Sequence, residues 1–272
     1  MAFSRILIPV DFTVNTEIAL NRAISLIEPT NSSIWLVHII RASNRITPES
    51  RYHSSEVERK INDLAFDMME RLPDVSVRVI IETSRSIHGA IIGQVAVIQP
   101  DLIIIGRNRK KGWPFRKART SSGLLALECK CPVLTAKPGS MNNRIRNIVI
   151  PLHTFISQLR LELAINIAKM FKAKIHLVTI PDFKNLHEYD PASIFIESFY
   201  KLNQALPTKI SYGSLKGTHL PKATLDFARA IDADLIIAEL GEESNITFFN
   251  GFKHLSEMLN NDSRLEIMDV PN

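Results

Sequence analysis

The stretch Asp101-Leu-Ile-Ile-Ile-Gly106, with the basic segment 107–119 and the run Thr120-Ser-Ser-Gly-Leu-Leu125 after it, decides how this chain is read. A short β-branched apolar run has the composition of a strand buried on both faces of a parallel sheet, and a glycine at its end marks a place where backbone must approach something closely. In open α/β sheets, ligands occupy the crevice outside the carboxyl ends of the strands, where a helix N-terminus offers free N–H groups to an anion. The function turns on whether this loop holds a phosphate.

Working outward from that strand, the first half alternates regularly. Strands are predicted over residues 5–11, 33–40, 75–81, 101–105 and 132–136. Helical spacing of apolar residues falls between them over 13–27, 56–72, 88–98 and 121–128. Thr13 and Asn15 are both candidate caps for the first helix. This order predicts a mostly parallel sheet with helices on both faces.

The pattern then begins again. Arg146-Asn-Ile-Val-Ile-Pro-Leu-His153 repeats residues 4–11, residues 173–180 repeat 33–40, and Asp232-Ala-Asp-Leu-Ile-Ile-Ala238 repeats 99–105. Residues 265–270 supply the last strand of the second copy. A tandem duplication follows, with domains at 1–139 and 144–272 joined by a short linker. The length of 272 residues agrees, because single cores stop growing at roughly 250–300 residues.

With 45% hydrophobic and 22% charged residues, the chain can bury a full core. No apolar run reaches the roughly 18 residues a membrane span needs. The opening Met1-Ala-Phe-Ser-Arg-Ile-Leu-Ile-Pro-Val-Asp11 has neither the basic stretch nor the long apolar segment of a signal peptide, so the expected location is the cytoplasm. Cys129 and Cys131 are expected to be free thiols, since one intervening residue cannot close an unstrained disulfide. No metal site is expected, because no further Cys or His stands at ligand spacing.

Of the 33 lysines and arginines, seven (Arg107, Arg109, Lys110, Lys111, Arg116, Lys117 and Arg119) lie within segment 107–119 with no acid among them. Such a run is ordinarily a solvated surface. Trp113 and Phe115 inside it also suit an anionic partner, whether a protein, a lipid surface or a nucleic-acid phosphate.

Four blocks in order, Ile6-Leu-Ile-Pro-Val-Asp-Phe-Thr13 with Glu17-Ile-Ala-Leu20, Leu36-Val-His-Ile39, Asp101-Leu-Ile-Ile-Ile-Gly106 and Cys131-Pro-Val-Leu134, resemble a universal stress protein domain. The likeness covers the first half and extends more faintly to the second. It implies a Rossmann-like fold of two five-stranded domains in the order 3-2-1-4-5, paired within the chain through their fifth strands like a dimer. Association of two chains into a homodimer is a further possibility the family leaves open.

The resemblance also implies an adenine nucleotide, ATP or AMP, in the first domain. Asp11 and the end of the second strand near Ile39 would meet the base, beside Pro9 and Val10. Gly106, Thr120 and Ser121 would stand at the phosphates. ATP-binding relatives carry two further glycines where this chain has Arg109 and Arg119. An arginine there either fills the phosphate volume or grips a phosphate with its guanidinium.

In the second copy His153 replaces Asp11 and Glu239 replaces Gly106, which predicts no nucleotide there. No Walker lysine, no nucleophile elbow and no histidine pair at metal spacing is present, so no catalytic residues are expected. For Asp11 itself the plainer expectation is a carboxylate that caps the following helix. The sequence thus points to a non-catalytic stress-response protein with a degenerate nucleotide pocket. The alternative is a nucleotide-free scaffold acting through the basic loop.

Overall fold

The computed structural model describes residues 3–42, 48–107, 122–138, 144–152, 157–179, 191–205, 210–215, 220–240 and 265–271. The first half comprises β1 (Arg5–Pro9), α1 (Val14–Leu26), β2 (Ser32–Arg41), α2 (Pro48–Arg71), β3 (Val75–Ser84), α3 (Ile87–Ile98), β4 (Leu102–Gly106), α4 (Ser122–Cys129) and β5 (Val133–Ala136). The second half repeats the series as β6 (Asn147–Pro151), α5 (Gln158–Phe171), β7 (Lys174–Thr179), α6 (Pro191–Ala205), β8 (Ile210–Ser214), α7 (Leu220–Ala230), β9 (Leu235–Leu240) and β10 (Glu266–Pro271).

The ten strands form one sheet in the order β3-β2-β1-β4-β5-β10-β9-β6-β7-β8. Each half therefore has the expected 3-2-1-4-5 order, and all pairings are parallel except β5 with β10. At that seam Met268 stands opposite Leu134, with Ile267 opposite Thr135 and Asp269 opposite Val133. Each half covers the edge the other would leave open. The pseudo-dimer expected from the resemblance is thus a continuous sheet.

Alternation of side chains across the pleat divides the core into layers. Ile6, Ile8, Ile34 and Leu36 meet α1 and α2 in a cluster that continues through Leu134 and Met268 into the second half. Leu7, Val37, Ile103 and Val133 meet α3 and α4 on the opposite face. Val149, Val178, Ile236 and Ile267 meet α7.

A buried ion pair crosses the seam. Arg22 of α1, which is 2% exposed, donates from Nε to Glu266 Oε1 at 3.0 Å and reaches Oε2 from Nη2 at 2.8 Å. Such bidentate geometry is among the stronger charge-assisted contacts, and breaking it would strand a buried charge.

Several expected boundaries shift, most of all that of α2, which begins at Pro48, eight residues before the expected 56, because the polar segment ahead of the apolar stripe joins the helix. β1 ends at Pro9 rather than Asp11, and β3 runs three residues past its expected end to Ser84. Cys129 closes α4, and Cys131 follows it after Lys130, whose φ of 48° turns the chain. Both thiols are free, as expected, and the Cys131 Sγ donates to the Pro100 carbonyl at 3.3 Å.

Candidate functional site

Beyond Pro9 the chain leaves the sheet between its neighbours β2 and β4, and a crevice opens at this reversal of strand order. Val10 still donates to the Val37 carbonyl at 2.8 Å, extending the β1–β2 ladder by one step. Backbone groups along a strand face alternate sides, so Ile39 turns its N–H and C=O the same way as Val37, past the end of β1. A cavity of about 510 Å³ occupies that space. Pro9, Val10, Asp11, Ile39 and Gly106, five of the residues expected at the site, line it together. The other four, Arg109, Arg119, Thr120 and Ser121, lie outside the described residues, as does the basic segment beyond Arg107.

Of the wall residues not anticipated at the site, His38 and Arg41 bring ionisable side chains. His38 sits at 2.8 Å from the Val10 carbonyl through Nδ1, and since a carbonyl only accepts, Nδ1 carries the proton. Its ring lies 4.6 Å from that of Phe12, centroid to centroid, and Phe12 holds a φ of 55° that bulky residues seldom adopt. His38 thereby fixes the turn leaving β1. Arg41, at the end of β2, brings a cation to the same cavity.

Asp11 is exposed, and its carboxylate organises the start of α1. Oδ1 accepts from the Thr13 N–H at 3.0 Å, the Thr13 hydroxyl at 2.6 Å and the Thr16 hydroxyl at 2.9 Å, while Oδ2 accepts from Asn15 Nδ2 at 3.3 Å. Thr13, not Asn15, is the N-cap, accepting from the Asn15 N–H. Asp11 therefore does not cap the helix itself, as expected of it; it holds the cap residue Thr13 and the Thr16 hydroxyl in place. Gly106 likewise has a structural reason to be glycine. A Cβ there would stand 1.7 Å from the Asn15 carbonyl oxygen, so only bare backbone lets α1 cross the end of β4.

At the corresponding strand ends of the second half a buried ion pair takes the place of small residues. Arg160 occupies the third position after the Ser157 cap of α5, as Thr16 does after Thr13 in α1. It is 2% exposed. Its Nη2 donates to the carbonyls of Pro151 at 2.6 Å and Ile237 at 2.9 Å, its Nε to Ile237 at 3.2 Å, and its Nη1 to Glu239 Oε2 at 3.3 Å. Glu239, at the place of Gly106, also accepts from the Ser157 N–H at 3.3 Å. Burial lowers the Arg160 pKa and the neighbouring Glu239 carboxylate opposes that shift, so the guanidinium stays charged against its partner. His153, the counterpart of Asp11, lies outside the described residues.

The first crevice offers the strand end at Ile39, apolar walls from Val37, Ile87, Ile91 and Ile105, and polar groups from Asp11, Asn15, His38 and Arg41. Among the described residues no group of three or more His, Cys, Asp or Glu could hold a metal ion, and no helix is long and apolar enough to cross a membrane.

A family model described as "Universal stress protein family" matches residues 2–137, half of the chain. No curated protein matches the chain in sequence. Among solved structures, a universal stress protein from Archaeoglobus fulgidus is similar over 98% of this chain and 96% of its own, with 15% identity and a TM-score of 0.73. A Pseudomonas aeruginosa protein titled a putative universal stress protein covers 99% and 94%, with 18% identity and a TM-score of 0.65. The cytoplasmic domain of a prokaryotic cation chloride cotransporter covers 98% and 94%, with 14% identity and a TM-score of 0.55. At these identities the likeness carries the fold, and the two-half arrangement, alone.

Proposed function

This chain belongs to the universal stress protein family, and on that premise we propose that it acts in the stress response as a non-catalytic binder of one adenine nucleotide, held in the first-half crevice. Residues 1–139 and 144–272 form its two domains, with the second supplying edge pairing rather than a ligand site. The observation that carries this reading is Ile39 in the wall of the 510 Å³ cavity, where the parity set by the Val10–Val37 bond turns its N–H and C=O past the end of β1. A donor and an acceptor side by side match the edge of an adenine, which presents its own acceptor and amino donor adjacent to one another.

Pro9, Val10 and Asp11 bound the base side in this assignment. The phosphates are assigned to the Gly106 end of the cavity, with the hydroxyls of Thr120 and Ser121 and the charges of Arg109 and Arg119, in place of glycine backbone, as their proposed partners. In the second half, Arg160 and Glu239 stand where that ligand would go, which supports a single site.

Isothermal titration of the full chain with ATP and with AMP tests the proposal, comparing wild type with Ile87→Trp, which fills the cavity from α3. Saturable heat in the wild type that disappears in the variant supports it. Absence of heat with both nucleotides in the wild type refutes it.

A further inference from the structure

The ten-stranded sheet ends on one side at β3, which has β2 as its strand neighbour and, among the described residues, no strand beyond it. At ten residues β3 is twice the length of β8, the strand at the other end. Long apolar edges of this kind template further pairing unless something covers them. The outer residues here are not blunted by proline, and Val77, Val79, Ile80 and Ile81 are only half-buried.

We propose that β3 is a homodimer interface, on which a second copy of this chain adds its own β3 antiparallel, centred on Ile80. Backbone parity restricts the register. Ser84 accepts through its carbonyl from Ala42 of the β2 side, so even-numbered residues of β3 face β2 and Val77, Val79, Ile81 and Thr83 turn their N–H and C=O outward. In an antiparallel pair the outward-facing residues of the two strands must oppose one another. Centring on Ile80 sets Val79 opposite Ile81 and Val77 opposite Thr83, each twice by symmetry. The same register places Arg78 opposite Glu82, twice, in the positions where side chains come closest.

Registers shifted by two residues lose this match. Centring on Val79 puts Arg78 against Ile80, and centring on Ile81 puts Arg78 against Ser84. A strand complementary to itself in one register is what an isologous two-fold contact requires.

The exposed apolar side chains of the flanking helices point the same way. Arg71 of α2 donates to Asn21 of α1 at 2.8 Å, marking the flank of α2 that faces inward. At about 100° per residue, Phe66 and Met69 lie roughly 140° and 160° around from it, on the flank toward the open edge. They are 61% and 43% exposed. On the other layer His88 of α3 meets Glu128 of α4 at 2.6 Å, and Val97 lies roughly opposite His88 on the helix. Val97 is 79% exposed. Both helical layers thus carry apolar surface to the edge at which the strand is self-complementary.

Sedimentation equilibrium on the full chain, with Arg78→Glu, Glu82→Arg and the double exchange, tests this. Wild type should sediment at twice the 30.7 kDa of one chain. Each single change sets like charges opposite one another and should weaken the dimer about tenfold or more. The double exchange should restore it. A monomeric wild type, a larger open assembly, a dimer indifferent to the single changes, or loss in the singles without recovery in the double would each overturn the proposal.

Discussion

Arg160 and Glu239 meet at 3.3 Å inside the second crevice, both nearly sealed from water, where the first half has the small Thr16 and Gly106. One duplicated scaffold therefore carries two opposite solutions at the same place: a cavity, and a cation with its counterion. The first allows a ligand, and the second supplies internally the contacts a ligand would make to strand-end carbonyls.

Removing one partner of that pair leaves a buried charge. Glu239→Gln or Arg160→Met should each cost about 3–5 kcal/mol of stability, measured by urea unfolding. Replacing both with apolar side chains of similar size should cost much less. Equal losses for single and double variants would show that the pair is not coupled.

The seam is predicted to depend on Arg22 in the same way. Arg22→Met should lower stability by about 3–5 kcal/mol, because Glu266 is fully buried opposite it. Guanidinium unfolding followed at Trp35 and by far-ultraviolet dichroism is the measurement. A change below 1 kcal/mol would contradict the role assigned to the bridge.

Gly106→Ala should destabilise the chain by roughly 1–3 kcal/mol, since the added methyl meets the Asn15 carbonyl rather than a flexible side chain. Thermal unfolding without ligand separates this from any loss of ligand contacts. A neutral change would mean that α1 can retreat from β4 freely.

The thiols should be unreactive near neutrality. Burial and, secondarily, the neighbouring Glu128 push Cys129 up to about 11; burial, then Cys129 and Asp101, push Cys131 up to about 12. Native thiols then keep their protons at a pH where the unfolded chain has released them. Their contribution is nil below the ordinary value of 9.0 and turns destabilising as pH rises above it. The wild type should therefore lose more stability between pH 8 and 10 than Cys129→Ala/Cys131→Ala, in paired urea titrations. Rapid modification of both native thiols at pH 7 would contradict this.

The alternation of elements and the duplication were legible because apolar runs alternate with helical spacing and then repeat, while the strand order and the intrachain seam came from the family resemblance. The sealed second crevice was only half legible. Glu239 stands out at a glycine position, but its cation lies 79 residues away on α5, where no spacing connects the two. A signal existed: Arg160 falls on the stripe formed by Ala164, Ile167 and Ala168, where an isolated charge implies a buried partner. Arg22, on the stripe with Ile18, Ala19 and Leu26, carried the same signal for the seam. His38 lies inside a predicted strand and gives no sign of its contact, which depends on the turn at Phe12 that no local pattern announces.

The number of nucleotides one chain holds distinguishes a single open crevice from two or none. Native mass spectrometry of the full protein across an ATP titration counts them directly. One ATP per chain, absent in Ile87→Trp, is the predicted result. Two per chain, or none at saturating ATP, would contradict it.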